Sequence, residues 1–120
     1  MNKIVKKLWI TALRSGKYRQ ARENLKTTYL GGSCAYCCLG VLTNLYAKKH
    51  KITFEEVCRD DSSAEEQMLP ELVRKWAGLS RHNPQIKSGI SLIALNDGEK
   101  ERNIPKHNFK QIASLIQRYL

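Results

Sequence analysis

A chain of 120 residues with 21 Lys and Arg against 11 Asp and Glu carries a formal charge of +10, and its length suits one domain that buries a single core without disulfide staples. No apolar stretch approaches the roughly 20 residues of a membrane span, and Met1 to Leu13 lacks a secretory signal, so no membrane partner and a cytoplasmic setting with reduced cysteines are expected. The basic excess is confined to the first half: residues 1–51 hold eleven Lys or Arg and one acid, Glu23, whereas residues 52–120 hold ten of each sign.

Ile4, Val5, Leu8, Trp9, Ala12 and Leu13 follow helical spacing with Lys3, Lys6 and Lys7 on other faces, and Gly16 is a natural left-handed stop. From Lys17 to Leu30 the period is lost. Tyr18, Thr27, Thr28 and Tyr29 favour extended structure before Gly31-Gly32, which predicts an irregular segment or short hairpin. Cys38, Val41, Leu42, Leu45 and Tyr46 resume the helical pattern, and Lys48, Lys49, His50 and Lys51 suit the negative end of that helix. This second helix is expected to form the centre of the fold.

Thr53 with Glu56 fits a capping box for a short third helix, broken by Asp60 to Ser63. Pro70 opens a further helix that is expected to bury Leu72, Val73 and Trp76 and to stop at Gly78, with Leu79 folding back on its last turn. Asn83-Pro84 starts a loop. Ile90, Leu92, Ile93 and Leu95 make an apolar run too short to assign, bounded by the turn signal Asn96-Asp97-Gly98. Asn108 caps a final helix with Phe109, Ile112, Ala113, Leu115, Ile116 and Tyr119 inward. The fold class expected is α+β and helix-dominated, a single compact domain over residues 1–120 with about four to five helices and a small antiparallel β-hairpin.

Ala12-Leu13-Arg14-Ser15-Gly16-Lys17-Tyr18 with Gln20, Tyr36-Cys37-Cys38-Leu39-Gly40-Val41-Leu42, and Leu69-Pro70 with Val73 and Trp76-Ala77-Gly78-Leu79 form one ordered set of segments. Asn83-Pro84, Leu95-Asn96-Asp97 and Phe109 with Ile112-Ala113 and Leu115-Ile116 complete it. Together they resemble a widespread group of small, mostly uncharacterised proteins of bacteriophages and prophages. The resemblance implies viral or prophage origin and action in the cytoplasm of a bacterial host. Two departures stand out: a charged stretch from Gly98 to Lys106, and a more basic chain than the group shows.

Cys34, Cys37, Cys38 and Cys58 with His50, His82 and His107 offer ligand types for zinc, but only one closely spaced pair of thiols exists and Cys38 falls on an apolar helix face. Small buried hydrophobes are the simpler reading, so no metal and no cofactor are expected. A redox role for Cys34 and Cys37 lacks the strand and helix context of thioredoxin-like enzymes. No nucleophile elbow, phosphate loop or nucleotide fingerprint occurs, so the chain is not expected to be an enzyme.

The aperiodic basic segment is different. A block of one sign steers anions toward itself, arginine forks match phosphate geometry, and aromatic rings offer a face to a base. Arg14, Lys17, Arg19 and Arg22 are expected to neutralise phosphates, Tyr18 or Tyr36 to stack on a base, and Gln20 and Asn83 to read polar edges. Free N–H groups near Cys37 to Leu39, at the start of the second helix, would face a phosphate. The leading expectation is a non-enzymatic, phage-encoded binding protein for an anionic nucleotide-like small molecule, sequestering a bacterial defence signal. The alternative is a basic regulator or inhibitor that binds nucleic acid or a host protein directly. A small domain has little room for a ligand inside its core, which leaves open a pocket shared by copies in a homo-oligomer.

Overall fold

In the computed structural model, which describes all 120 residues, the chain runs through α1 (Lys3–Arg14), β1 (Lys26–Thr28), β2 (Cys34–Tyr36), α2 (Cys38–His50) and α3 (Phe54–Cys58). It continues through α4 (Ser62–Glu65), α5 (Glu71–Ala77), α6 (Leu92–Asp97) and α7 (Phe109–Tyr119). This is a helix-dominated α+β domain. The five expected helices are present, and α4 and α6 are added to them.

α2 is the axis of the core, because Cys38 to Thr43 are buried in unbroken succession, a pattern that needs neighbours on every side of a helix. Thr43 returns its hydroxyl proton to the Leu39 carbonyl at 2.9 Å, which satisfies the one polar side chain in that run. α1, α3, α5 and α6 all pack on α2, and α7 closes the far side of α1 and α6. The Trp9 indole N–H donates to the Cys38 carbonyl at 2.9 Å, fixing α1 against the start of α2. Gly40 is where a second backbone comes closest: a Cβ there would lie 1.7 Å from the Leu25 carbonyl oxygen, so only glycine admits the segment that leads into β1.

β1 and β2 form the antiparallel hairpin expected around Gly31-Gly32, with Lys26 opposite Tyr36 and Thr28 opposite Cys34. Both glycines take positive φ, +92° and +90°, as the turn demands. α1 ends before Gly16 at φ +75°, and α5 at Gly78 with the Leu79 N–H bonded to the Arg74 carbonyl. Thr53 caps α3 through the Glu56 N–H. Asn108 and Gln111 make a full reciprocal capping box on α7.

One expectation needs correcting, one unassigned run is resolved, and one expected break holds with an addition. Leu72 points to solvent at 52 % exposure, and α5 turns Val73 and Ala77 into the core, where it packs on α1 and α2, while Trp76 is half-buried. The run ending at Leu95 is helical, capped by Ser91 through the Ala94 N–H, and Asn96-Asp97 forms its last turn instead of a loop. Asp60 to Ser63 does break α3, but Asp61 then caps the single turn of α4.

Candidate ligand-binding face

The short polar motif at the end of α6 organises the ground on which any site must stand. Asn96 is 1 % exposed, and its side-chain oxygen accepts from the Gln20 amide at 2.9 Å and the Cys38 N–H at 3.2 Å. Its own amide donates to the Ala21 carbonyl and the Asp97 carboxylate. Gln20 also reaches the His107 carbonyl, and Arg22 donates to the Asn96 carbonyl. The carboxamide of Gln20 and the guanidinium of Arg22 are therefore tied to the protein's own backbone. Asn83 is tied similarly, its side-chain oxygen accepting from the Ile93 N–H at 3.3 Å near the start of α6.

The start of α2 is closed as well, against the expectation of an open anion site. Cys38 and Leu39 are fully buried, Asn96 takes the Cys38 N–H, and the Cys37 sulfur accepts from the Gly40 N–H at 3.3 Å. What remains is a hollow of about 10 Å3 beside Cys37, Leu39 and Asp97, room for about one water and no phosphate. All four cysteines are free thiols. Burial pushes the Cys37 thiol up to about 11 and the Cys38 thiol well above its ordinary range, which leaves both as packing groups and poor nucleophiles.

The cations gather instead on α1 and its neighbours. Between α1 and α2 lies an open groove of about 460 Å3, lined by Ile4, Leu8, Ala12 and Leu45 together with Lys7, Lys17 and Lys48. Tyr18 stands at one end. Its phenol oxygen accepts from Asn44 at 2.9 Å and from Lys48 at 3.5 Å, and the Lys48 ammonium lies 5.5 Å from the ring centroid. On the other flank of α1, Lys3, Lys6 and Arg14 border a second groove of about 420 Å3, with Arg14 hydrogen-bonded to Ser114 and Gln117 of α7. Arg19 lies outside both, its guanidinium 4.5 Å from the Tyr29 ring centroid.

Beyond Tyr18 the aromatic surface continues. The Tyr18 and Tyr36 rings meet edge to face at 5.5 Å, Tyr36 and Phe54 at 5.8 Å, and the Lys26 ammonium sits 5.2 Å from the Phe54 centroid. All three rings are half-buried. Tyr36 is held rigidly, its N–H bonded to the Arg19 carbonyl and its carbonyl to the Ala21 N–H, and burial raises its phenol pKa. Lys26 pairs with Glu55 at 2.7 Å, a hydrogen bond that raises the ammonium's pKa and lowers the carboxylate's.

A family model matches residues 1–120, that of a domain of unknown function, DUF8296. The chain belongs to this family. No curated protein and no solved structure matches it.

Of the eight residues expected to bind, this DUF8296 chain places Lys17 and Tyr18 in the α1–α2 groove, Arg14 in the flanking groove, and Tyr36 in the aromatic strip. It spends Gln20, Arg22 and Asn83 on internal hydrogen bonds and Arg19 on Tyr29. Lys7 and Lys48 were missed in the sequence. The signal was the width of the first apolar stripe: Ile4 and Leu8 lie beside Val5 and Trp9, too broad a band for one neighbour to cover, and they remain 74 % and 44 % exposed. No helix is long and apolar enough to cross a membrane.

Proposed function

We propose that the protein is a non-enzymatic, phage-encoded binding protein for an anionic, nucleotide-like small molecule, held in the groove between α1 and α2. The observation that carries this reading is the open groove of about 460 Å3 between α1 and α2, lined by three lysines, Lys7, Lys17 and Lys48, together with Ile4, Leu8, Ala12 and Leu45. That volume falls within the usual range of roughly 300–1,000 Å3 for small-molecule sites. Lysines act as mobile point charges, so they neutralise phosphates without demanding one fixed geometry. Leu45, Ala12 and the Tyr18 ring give the base an apolar bed. The viral setting, and sequestration of a defence signal inside the bacterial cell, rest on the resemblance of the sequence segments to phage proteins.

Calorimetric titration with ribonucleoside mono-, di- and triphosphates and cyclic dinucleotides tests the site. Replacing Lys7, Lys17 and Lys48 together with Gln should lower affinity at least about tenfold while shifting stability by only about half a kcal/mol per exposed position. A panel that binds nowhere, or a triple variant that binds as the parent does, overturns the reading. Mass spectrometry of small molecules released from protein recovered from infected cells then tests the sequestration role.

A further inference from the structure

We infer that the other flank of α1, together with the adjoining face of α7, is a docking surface for the backbone of double-stranded DNA. The inference stands apart from the nucleotide reading. It rests on the second groove, of about 420 Å3, which shares only Lys7 and Thr11 with the first.

α1 and α7 contain no Asp or Glu and pack on each other more extensively than any other two elements, so neither helix puts a carboxylate side chain on their joint surface. Lys3, Lys6, Lys7 and Arg14 line the groove beside Gln117, with half-buried Ile10 as its one apolar residue. Lys110 shares a face of α7 with Ser114 and Gln117, by helical spacing. These five cations have no carboxylate partner, whereas Lys26, Arg74 and Arg102 each hold one. Arg14 is also oriented: its guanidinium donates to two neutral acceptors, Ser114 at 3.3 Å and Gln117 at 2.9 Å, which fix the fork and leave its charge for an outside anion.

The chemistry of this surface selects its partner. No aromatic ring lines the groove, so it offers nothing to the unstacked bases of a single strand. A duplex turns its bases inward and presents phosphates, which ammonium groups and an arginine fork bind. Lipid headgroups carry phosphate too, but a membrane surface is also held by apolar side chains that enter it, and the exposed Ile4 and Leu8 line the other groove. Between Lys3 and Arg14 the helix advances about 16 Å at about 1.5 Å per residue, against a width of about 12 Å for the B-form major groove. Its terminal cations therefore suit the two rims of that groove, whereas the major groove of duplex RNA is narrow. Contacts made to phosphate alone imply little dependence on sequence.

Fluorescence anisotropy on the intact chain tests the inference, with two labelled DNA duplexes of unrelated sequence, each about two helical turns long. Both should bind alike, and log affinity should fall against log salt by about 0.9 for each phosphate engaged. Replacing Lys3, Lys6 and Arg14 together with Gln should weaken binding about tenfold or more and flatten that slope by about 2–3. Lys3→Gln alone should flatten it by about 0.9, which keeps the test decisive if a thermal melt finds the triple variant unfolded. Lys49, Lys75 and Lys87, exposed cations on other elements, replaced together with Gln remove the same charge and should cost less than about threefold. Lys17→Gln with Lys48→Gln, in the nucleotide groove, should also cost duplex binding less than about threefold. Equal losses in the two triple variants would show that bulk charge alone draws DNA, and would overturn the surface. So would a loss greatest in the groove pair, no duplex binding at low salt, or tighter binding to single strand, duplex RNA or vesicles of anionic lipid. None of these results bears on mononucleotide binding between α1 and α2, and failure there leaves the duplex surface standing.

Discussion

Gln20 donates its amide to the side-chain oxygen of Asn96 across 76 positions of sequence, and the same oxygen takes the N–H of Cys38 at the start of α2. One buried carboxamide thus joins the basic segment, the central helix and α6. Asn96→Ala would strand the Cys38 N–H and the Ala21 carbonyl and leave the Gln20 amide only the His107 carbonyl, and each buried polar group left unpaired costs about 1–3 kcal/mol. A loss of about 3 kcal/mol or more is expected in chemical denaturation. Gln20→Ala, which sits at the edge of the cluster, should lose about 1 kcal/mol. Equal, small effects in both would mean that the cluster is not cooperative.

Gly40→Ala should be among the most damaging single-methyl changes. With the new carbon 1.7 Å from the Leu25 carbonyl oxygen, relief requires backbone movement of the segment before β1 or of α2. Overpacking typically costs about 1–3 kcal/mol and sometimes more; the upper end is expected here, read as a lowered denaturation midpoint. A variant as stable as the parent would show that this segment stands further from α2.

Stability should decline on the alkaline side. The Cys37 and Cys58 thiols are raised from an ordinary 9.0 to about 11, and Cys38 is raised well above its ordinary range, because burial opposes the thiolate. A folded state that holds these protons more tightly keeps its full advantage below about pH 9 and loses it as pH rises toward about 11. At about 1.4 kcal/mol per unit, Cys37 alone accounts for about 2–3 kcal/mol. The raised pKa values of Tyr36 and Lys26 act in the same direction. Denaturation profiles from about pH 7 to about pH 10.5 should therefore be level and then fall; a level profile throughout would contradict the burial of these thiols.

Lys51 closes α2 in the left-handed region at φ +55°, where a side chain is strained and glycine is not. Its N–H serves the carbonyls of Ala47 and Lys48, and the Ile52 N–H also reaches Ala47. Lys51→Gly keeps these backbone bonds and relieves the strain. A gain of about 0.5–1 kcal/mol is expected, detectable as a higher melting temperature. A drop instead would mean that the lysine side chain contributes more to the helix end than its backbone costs.

The long helices were legible because each carries both a period and a terminus: Gly16 beyond α1, the Lys48 to Lys51 run at the end of α2, Asn108 before α7. α4 and α6, of four and six residues, are shorter than the window in which a period can be told from a strand. Asn96-Asp97-Gly98 has the composition of a turn, yet Asn96 is polar because it bonds two distant segments, Gln20-Ala21 and the start of α2, a demand no local pattern discloses. The site divides in the same way. Lys17 and Tyr18 were found because they sit in an aperiodic basic stretch, whereas the internal partners of Gln20 and Arg22 lie more than seventy residues away. Lys48 reads in sequence as a cation at a helix end, and its contact with Tyr18, thirty positions away, appears only in the fold.

Asp61 accepts the Ser63 N–H with one carboxylate oxygen and the Glu71 N–H with the other, both at 2.9 Å, and so holds the first turns of α4 and α5 at once. Neither helix is long enough to persist alone in water. Their opening is accordingly a shared event, and the amide protons of Ser63 and Glu71 should exchange with solvent at matched rates although eight positions separate them. Residues 61–77 therefore behave as one unit of local unfolding, able to loosen while α2 and the hairpin beneath the aromatic strip stay in place.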